Sequence, residues 1–189
     1  MKVLVACEYS GVVREAFKAS GHNAWSCDLL PTEVEGKHYQ GDVRDILYDG
    51  WDMMIAHPPC THLAVSGARY FKNKQKEQQE ALDFVRLLLD APIDKICLEN
   101  PVSIISTRIR KPNQIIQPYY FGVDASKKTC LWLKNLPLLR FKLEDFLDKD
   151  RYANQTPSGQ NNLGPSPDRW KERSRTYPEI AKAMAEQWG

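Results

Sequence analysis

The chain has 189 residues, 42% hydrophobic and 26% charged, which is material for one ordinary folded domain and leaves little for a second. This balance excludes a disordered chain, and no apolar run is long enough to span a bilayer. With 26 basic against 24 acidic side chains and a formal net charge of +2, the composition neither announces nor excludes a polyanion partner.

Val3-Leu4-Val5-Ala6 is too short for the apolar region of a secretory leader and has no small-residue cleavage site behind it, so the expected compartment is cytoplasmic. Cys7, Cys27, Cys60, Cys97 and Cys130 are odd in number, widely spaced and form no C-x-x-C pair. They read as reduced thiols, four of them as core filler.

In chain order, the first half alternates short apolar runs with helical segments, the pattern of an α/β sheet. Lys2 to Cys7 reads as a buried strand. Gly11 to Ser20 reads as a helix with Val12, Val13, Ala16 and Phe17 on one side and Gly21 as its stop. Strands follow at Asn23 to Cys27, His38 to Gln40 and Asp52 to Ala56. The longest helix is expected from Lys74 to Ala91, with Ala81, Phe84, Val85, Leu88 and Leu89 at helical spacing and Pro92 closing it. Lys95 to Leu98 reads as a strand, and further strands are expected near Gln114 to Phe121 and Thr129 to Leu133. From Asp150 to about Tyr177 the chain turns polar, and Asn154 to Asp168 reads as a long loop. Pro178 to Trp188 places Ile180, Ala183, Met184 and Trp188 on one stripe of a final helix.

Ligands of open α/β sheets bind beyond the carboxyl ends of the strands. The residues there are Glu8-Tyr9-Ser10-Gly11, Asp28, Asp42, Pro58-Pro59-Cys60 and Glu99-Asn100. A glycine at a strand-to-helix turn lets backbone approach a ligand, and an acid further on can accept from ribose hydroxyls. Gly11 is a lone glycine, so a tight turn followed by a surface Asp reads equally well. The two prolines before Cys60 stiffen its turn and place its thiol as a nucleophile would be placed, or as a packed cysteine in a proline turn. Glu99 and Asn100, after Lys-Ile-Cys-Leu, cannot both be buried without partners. A carboxyl there could stay protonated in an apolar pocket and donate a hydrogen bond, or the pair could simply cap the strand. His57, Cys60 and His62 are compact enough to suggest a metal site, but no fourth ligand lies at a usual zinc spacing. Trp25, Trp51, Trp132 and Trp188 read as core aromatics.

Taken together, Tyr9-Ser10-Gly11, the run from Asp52 to Ala64 (DMMIAHPPCTHLA) and Glu99-Asn100-Pro101 resemble the cofactor turn, nucleophile loop and Glu-Asn motif of cytosine-5 DNA methyltransferases. The chain is similar in particular to the short phage and prophage members of that family. Lys127-Lys128-Thr129-Cys130-Leu131-Trp132-Leu133 and the last helix extend the likeness over most of the chain. The chain departs from the family in four ways. Gly11 stands alone where the first motif usually has several glycines, and His57 stands where a glycine is common. Lys127-Lys128-Thr129 is the most that matches the family's Gln-x-Arg-x-Arg motif, and only Asn135 to Tyr177 is left for a recognition domain.

The resemblance implies a single class I methyltransferase domain over residues 1–189, Rossmann-like, with a mostly parallel sheet flanked by helices. Its polar loop covers about 150–177, and its last helix, 178–188, packs near the cofactor turn. It implies S-adenosyl-L-methionine as cofactor and methylation of cytosine C5 in DNA, with the base flipped out of the duplex. In that reading Cys60 is the nucleophile, Glu99 binds or protonates N3 and Asn100 holds the loop. Glu8, Tyr9, Ser10, Gly11, Asp28, Asp42 and Pro58 line the cofactor, and Lys128, Arg169, Lys171 and Arg173 meet the substrate. A free pyrimidine nucleotide or RNA as substrate, and a non-catalytic binding module of the same fold, are the competing expectations.

Overall fold

A computed structural model describes residues 1–67 and 73–189. The strands are β1 (Lys2–Ala6), β2 (Asn23–Asp28), β3 (His38–Gln40), β4 (Met53–Ala56), β5 (Lys95–Pro101), β6 (Gln114–Ile116) and β7 (Thr129–Lys134). The helices are α1 (Val12–Ala19), α2 (Gln75–Leu89), α3 (Ile105–Arg108), α4 (Arg169–Ser174) and α5 (Pro178–Trp188). No helix among the described residues is long and apolar enough to cross a membrane.

The strands form one seven-stranded mixed sheet in the order β3-β2-β1-β4-β5-β7-β6. Neighbours from β3 to β5 are parallel, while β7 runs antiparallel to both β5 and β6. The fold is thus a single-domain α/β arrangement, broadly Rossmann-like, with the 3-2-1-4-5 order of doubly wound sheets. β7 enters between β5 and β6, so the residues before β7 arrive at the edge where β5 ends.

Period-two alternation divides the core. Leu4, Ala6, Met54, Ala56, Ile96, Leu98 and Trp132 share a buried cluster with α2 and α3. Val3, Val5, Met53, Ile55, Cys97 and Leu131 face the other way and pack with Val13 and Phe17 of α1 and with Ile180, Met184 and Trp188 of α5. Strands so apolar on both faces belong in a sheet covered on both sides.

Several boundaries differ from expectation for local reasons. The strand expected up to Phe121 stops at Ile116, because Pro118 has no N–H for a ladder and opens a 3-10 turn over Pro118–Phe121. On α2 the buried face is Leu82, Val85 and Leu88, whereas Ala81, Phe84 and Leu89 are only partly buried. The polar region holds α4, a six-residue helix that lacks the apolar stripe by which sequence periodicity detects one. Of the cysteines, Cys27, Cys97 and Cys130 are buried, Cys7 is half-buried and Cys60 is exposed.

Gly11 owes its identity to its backbone and to Arg14. Its φ is +76°, and a Cβ there would lie 2.8 Å from the Arg14 guanidinium. Arg14 is fully buried and donates to Ser26 Oγ, Thr32 Oγ1 and the Val34 carbonyl, pinning the 32–34 segment over the start of α1. Gly11→Ala is expected to lower unfolding free energy by about 1–2 kcal/mol from the left-handed backbone alone, more once the guanidinium is displaced. Urea denaturation at neutral pH measures it.

Candidate active site

The order of strands reverses between β1 and β4, which is where a doubly wound sheet opens a crevice. Ala6 lies beside Ala56, and Ala56 beside Leu98. The residues that follow, Cys7-Glu8, His57-Pro58 and Glu99-Asn100, therefore emerge in one row. His57 and Glu99 occupy equivalent positions on adjacent parallel strands, and their side chains meet: His57 Nδ1 lies 2.9 Å from Glu99 Oε2. Because an ionised carboxylate only accepts, Nδ1 carries the proton.

Glu99 is buried. Burial alone would raise its carboxyl, but the His57 hydrogen bond and charge, with Lys127 and a 3.3 Å hydrogen bond from the Thr176 hydroxyl, hold it down at about 2. Of the two readings left open for Glu99, a protonated donor or a strand cap, the lowered pKa goes against the first: the carboxyl favours its ionised form beside His57. Burial pulls His57 down, yet the hydrogen bond and charge of Glu99 and the charge of Glu8 outweigh it and raise its pKa. The pair is a close, buried histidine–carboxylate contact in which each partner favours the other's charged form. His57 Nε2 is buried without a hydrogen-bond partner among the described residues, as is Asn100 Oδ1.

Asn100 is 2% exposed, and its Nδ2 donates to the Pro58 carbonyl at 2.9 Å. That bond ties the end of β5 to the proline turn carrying Cys60, whose own carbonyl accepts from Leu63 and Ala64 N–H at 3.0 and 2.9 Å. Cys60 is thus exposed on a turn fixed at both ends. Its enclosing walls push the thiol pKa up, while the positive charges of Arg173 and Lys127 pull it back.

Around the Glu8–Gly11 turn, where the sequence placed cofactor residues, several side chains hold the scaffold. Glu8 accepts from Val13 N–H at 2.7 Å and Arg14 N–H at 3.2 Å, so its carboxylate caps α1. Ser10 is buried and its hydroxyl lies 3.4 Å from both Glu8 Oε1 and Val12 N. Asp42 caps the 3-10 turn Val43–Asp45 through Arg44 N–H and pairs with the Arg44 guanidinium at 3.5 Å. Asp28 is half-buried at the end of β2 and accepts from Leu30 N–H at 2.9 Å through one oxygen. Burial raises its carboxyl, partly offset by that N–H and by His38. Pro58 is buried.

The substrate residues expected from sequence divide. Lys128 is exposed, and its neighbour Lys127 bears on His57, Cys60 and Glu99; the antiparallel entry of β7 turns the first lysine of the pair toward the row. Arg173, on α4, faces Cys60 electrostatically. Lys171 lies 3.4 Å from Asp168 and its ammonium 5.7 Å from the Trp170 ring. Arg169 is half-buried on the same helix.

The segment after α4 crosses the row as a strap. Tyr9 Oη donates to the Lys171 carbonyl at 2.8 Å, Arg175 pairs with Glu33 at 2.6 Å, and Lys127 Nζ donates to the Arg175 carbonyl at 3.0 Å. Thr176 reaches Glu99, and α5 follows at once and packs on α1. Sequence reasoning weighed His57 only as a metal ligand and as a departure from the family, named Lys127 only within the resembling run, and passed over Thr176. For His57 a signal existed: it follows a strand end in step with Glu99, so parallel pairing sets the two side by side. Among the described residues no group of three or more His, Cys, Asp or Glu side chains gathers as a metal site.

Fold and row together define an α/β protein with a thiol, a buried histidine–carboxylate pair and a clamped turn at the sheet's switch point. A scan of protein-family models and a search of curated proteins both found no match.

Proposed function

We propose that the chain is an S-adenosylmethionine-dependent methyltransferase acting on cytosine C5 in DNA through a covalent Cys60 adduct. The observation that carries the proposal is the coupling of an exposed Cys60 to a buried Glu99 carboxylate through the Asn100–Pro58 hydrogen bond. A thiol held on a rigid turn, with fixed charges where ring charge develops, suits nucleophilic addition to an electron-poor ring.

Cytosine C5 is a poor nucleophile until a thiolate adds to C6. Cys60 forms the S–C6 bond, C5 becomes enamine-like and takes the methyl group, and loss of the C5 proton to solvent expels the thiolate. The Glu99 carboxylate accepts from the exocyclic amino group, and Asn100 Oδ1 remains free to accept as well. Flipping brings the base to the thiol, and Arg169, Lys171 and Arg173 meet phosphates at the mouth.

The residues at the ends of β1 and β2 fit an adenosyl cofactor through the Tyr9-Ser10-Gly11 turn and the half-buried Asp28 carboxylate, and less well through Glu8, whose carboxylate serves α1. When bound, that cofactor supplies an electrophilic methyl group.

One observation favours a smaller target: between β7 and α5 the only regular helices are a 3-10 turn at Leu143–Asp145 and α4, little structure for reading a duplex. Purified protein given methyl-labelled cofactor with duplex DNA, RNA or dCMP separates the readings. Label in DNA cytosine, with salt-sensitive affinity, is the expected result. Label confined to dCMP would transfer the chemistry to a free nucleotide, and label in none of them would leave a binding module.

A further inference from the structure

The His57–Glu99 pair has a consequence for that chemistry, and it rests on the cytosine reading. We propose that the imidazolium of His57, rather than a carboxylic acid, donates the proton that the pyrimidine ring needs when the thiol adds, with Glu99 as its orienting counter-ion.

The geometry fixes which atom donates. Nδ1 is committed to Glu99 Oε2 at 2.9 Å, so only Nε2 remains to act on a ligand, and it is buried with no hydrogen-bond partner among the described residues. A buried polar nitrogen without a partner is costly, and in the charged ring it is an N–H donor for which a ring nitrogen or carbonyl oxygen of a pyrimidine is the matching acceptor. His57 stands three residues before Cys60 on the turn that Asn100 clamps, so donor and nucleophile are carried by one rigid piece of backbone. The arrangement has the logic of a carboxylate–imidazole dyad, in which the acid orients and charges the ring without itself giving up a proton.

The step balances. As the Cys60 thiolate bonds to C6, the C5=C6 electron pair shifts through C4 toward N3, and the Nε2 proton moves to N3. His57 is left as neutral imidazole with Nδ1–H still on Glu99. Elimination of the thiolate reverses the path and returns the proton to Nε2. No outside oxidant or reductant enters.

The groups that set the protonation of His57 come from every side. Glu99 on β5, Glu8 after β1 and Asp28 at the end of β2 favour the charged ring, and Lys127 before β7 opposes it. The balance raises the imidazole above its ordinary value near 6.5.

A pH profile of methyl transfer tests the assignment. Wild-type transfer needs both thiolate and imidazolium. Its rate climbs with pH, then stops climbing once His57 begins to lose its proton, because each gain in thiolate is matched by a loss of acid. His57→Gln is expected to transfer about 100-fold more slowly and to keep climbing through the wild-type break. Glu99→Gln is expected to move that break to lower pH, since the ring loses its counter-ion. Without cofactor or substrate, imidazole NMR of the full chain is expected to show one histidine, missing in His57→Gln, that stays protonated above pH 6.5 and loses that property in Glu99→Gln.

A His57→Gln rate or break equal to wild type would overturn the assignment alone, as would a His57 ring found neutral at pH 6.5. Wild-type protein that transfers no methyl to DNA, RNA or dCMP would overturn the cytosine reading, and this step with it.

Discussion

Cys60→Ala is expected to abolish methyl transfer to cytosine, by about 10⁴-fold or more, since removing a covalent nucleophile removes the step itself. Cys60 is exposed, and its packing contributes little to the core, so the variant should fold with wild-type circular dichroism and unfold at the wild-type urea midpoint. Activity lost with stability retained is the signature of a group that acts on substrate. A Cys60→Ala protein that transferred methyl at even a tenth of the wild-type rate would remove the covalent adduct from the mechanism. The walls around the thiol raise its pKa and Arg173 and Lys127 oppose that, so wild-type activity should climb with pH from the acid side. Arg173→Ala should steepen the requirement for alkali.

Glu99→Ala carries the second large effect, on stability as well as activity. It leaves His57 buried without its counter-ion: at acid pH, where the ring stays charged, breaking the buried pair costs about 3–5 kcal/mol, and as pH rises the ring sheds its proton and the cost falls. The pH dependence follows from the two shifts. Glu99 is held at about 2, below its ordinary 4.5. Its contribution is present above the ordinary value and is lost as pH falls toward 2. His57 is raised above 6.5, so its contribution is full below 6.5 and fades as pH climbs through the raised value. Wild-type protein should therefore be most stable between roughly pH 4.5 and 6.5 as far as this pair is concerned, and Glu99→Ala should lose the acid-side slope. Urea midpoints measured across pH 2 to 9 would show it. Equal acid slopes in the two proteins would mean that the pair is not ionised.

Most of the strands and the helices α1, α2 and α5 could be read from the chain because each is announced locally. β1, β4 and β5 are short apolar runs ended by polar residues, and α1 and α5 carry an apolar stripe behind a glycine or proline start. β6 and α4 could not be read that way. The first is cut short by Pro118, and the second is polar and held by Tyr9, which reaches Lys171 and Ser174 from 162 and 165 residues away, and by the chain's return to Glu99 at Thr176. At the site, Cys60, Glu99 and Asn100 stood out by type and position. The state of Glu99 did not, because ionisation depends on what lies opposite, and His57 becomes its neighbour only when β4 pairs with β5. The partners of Glu8 were hidden for a related reason. A carboxyl at a strand end looks like a ligand group, yet here it satisfies the otherwise unpaired N–H groups of α1. Lys128 and Lys127 differ by one position, which in a strand-entry segment decides the face on which a side chain emerges.

The uneven placement of the thiols offers a practical handle. Cys97 and Cys130 are sealed in the core, Cys27 is pushed up to about 12 and Cys7 higher still, so sulfhydryl reagents should find them inert while the protein stays folded. A maleimide added in slight excess is expected to tag one position, Cys60, and faster as the buffer is made more alkaline. A fluorophore placed there would report directly on whatever enters the mouth.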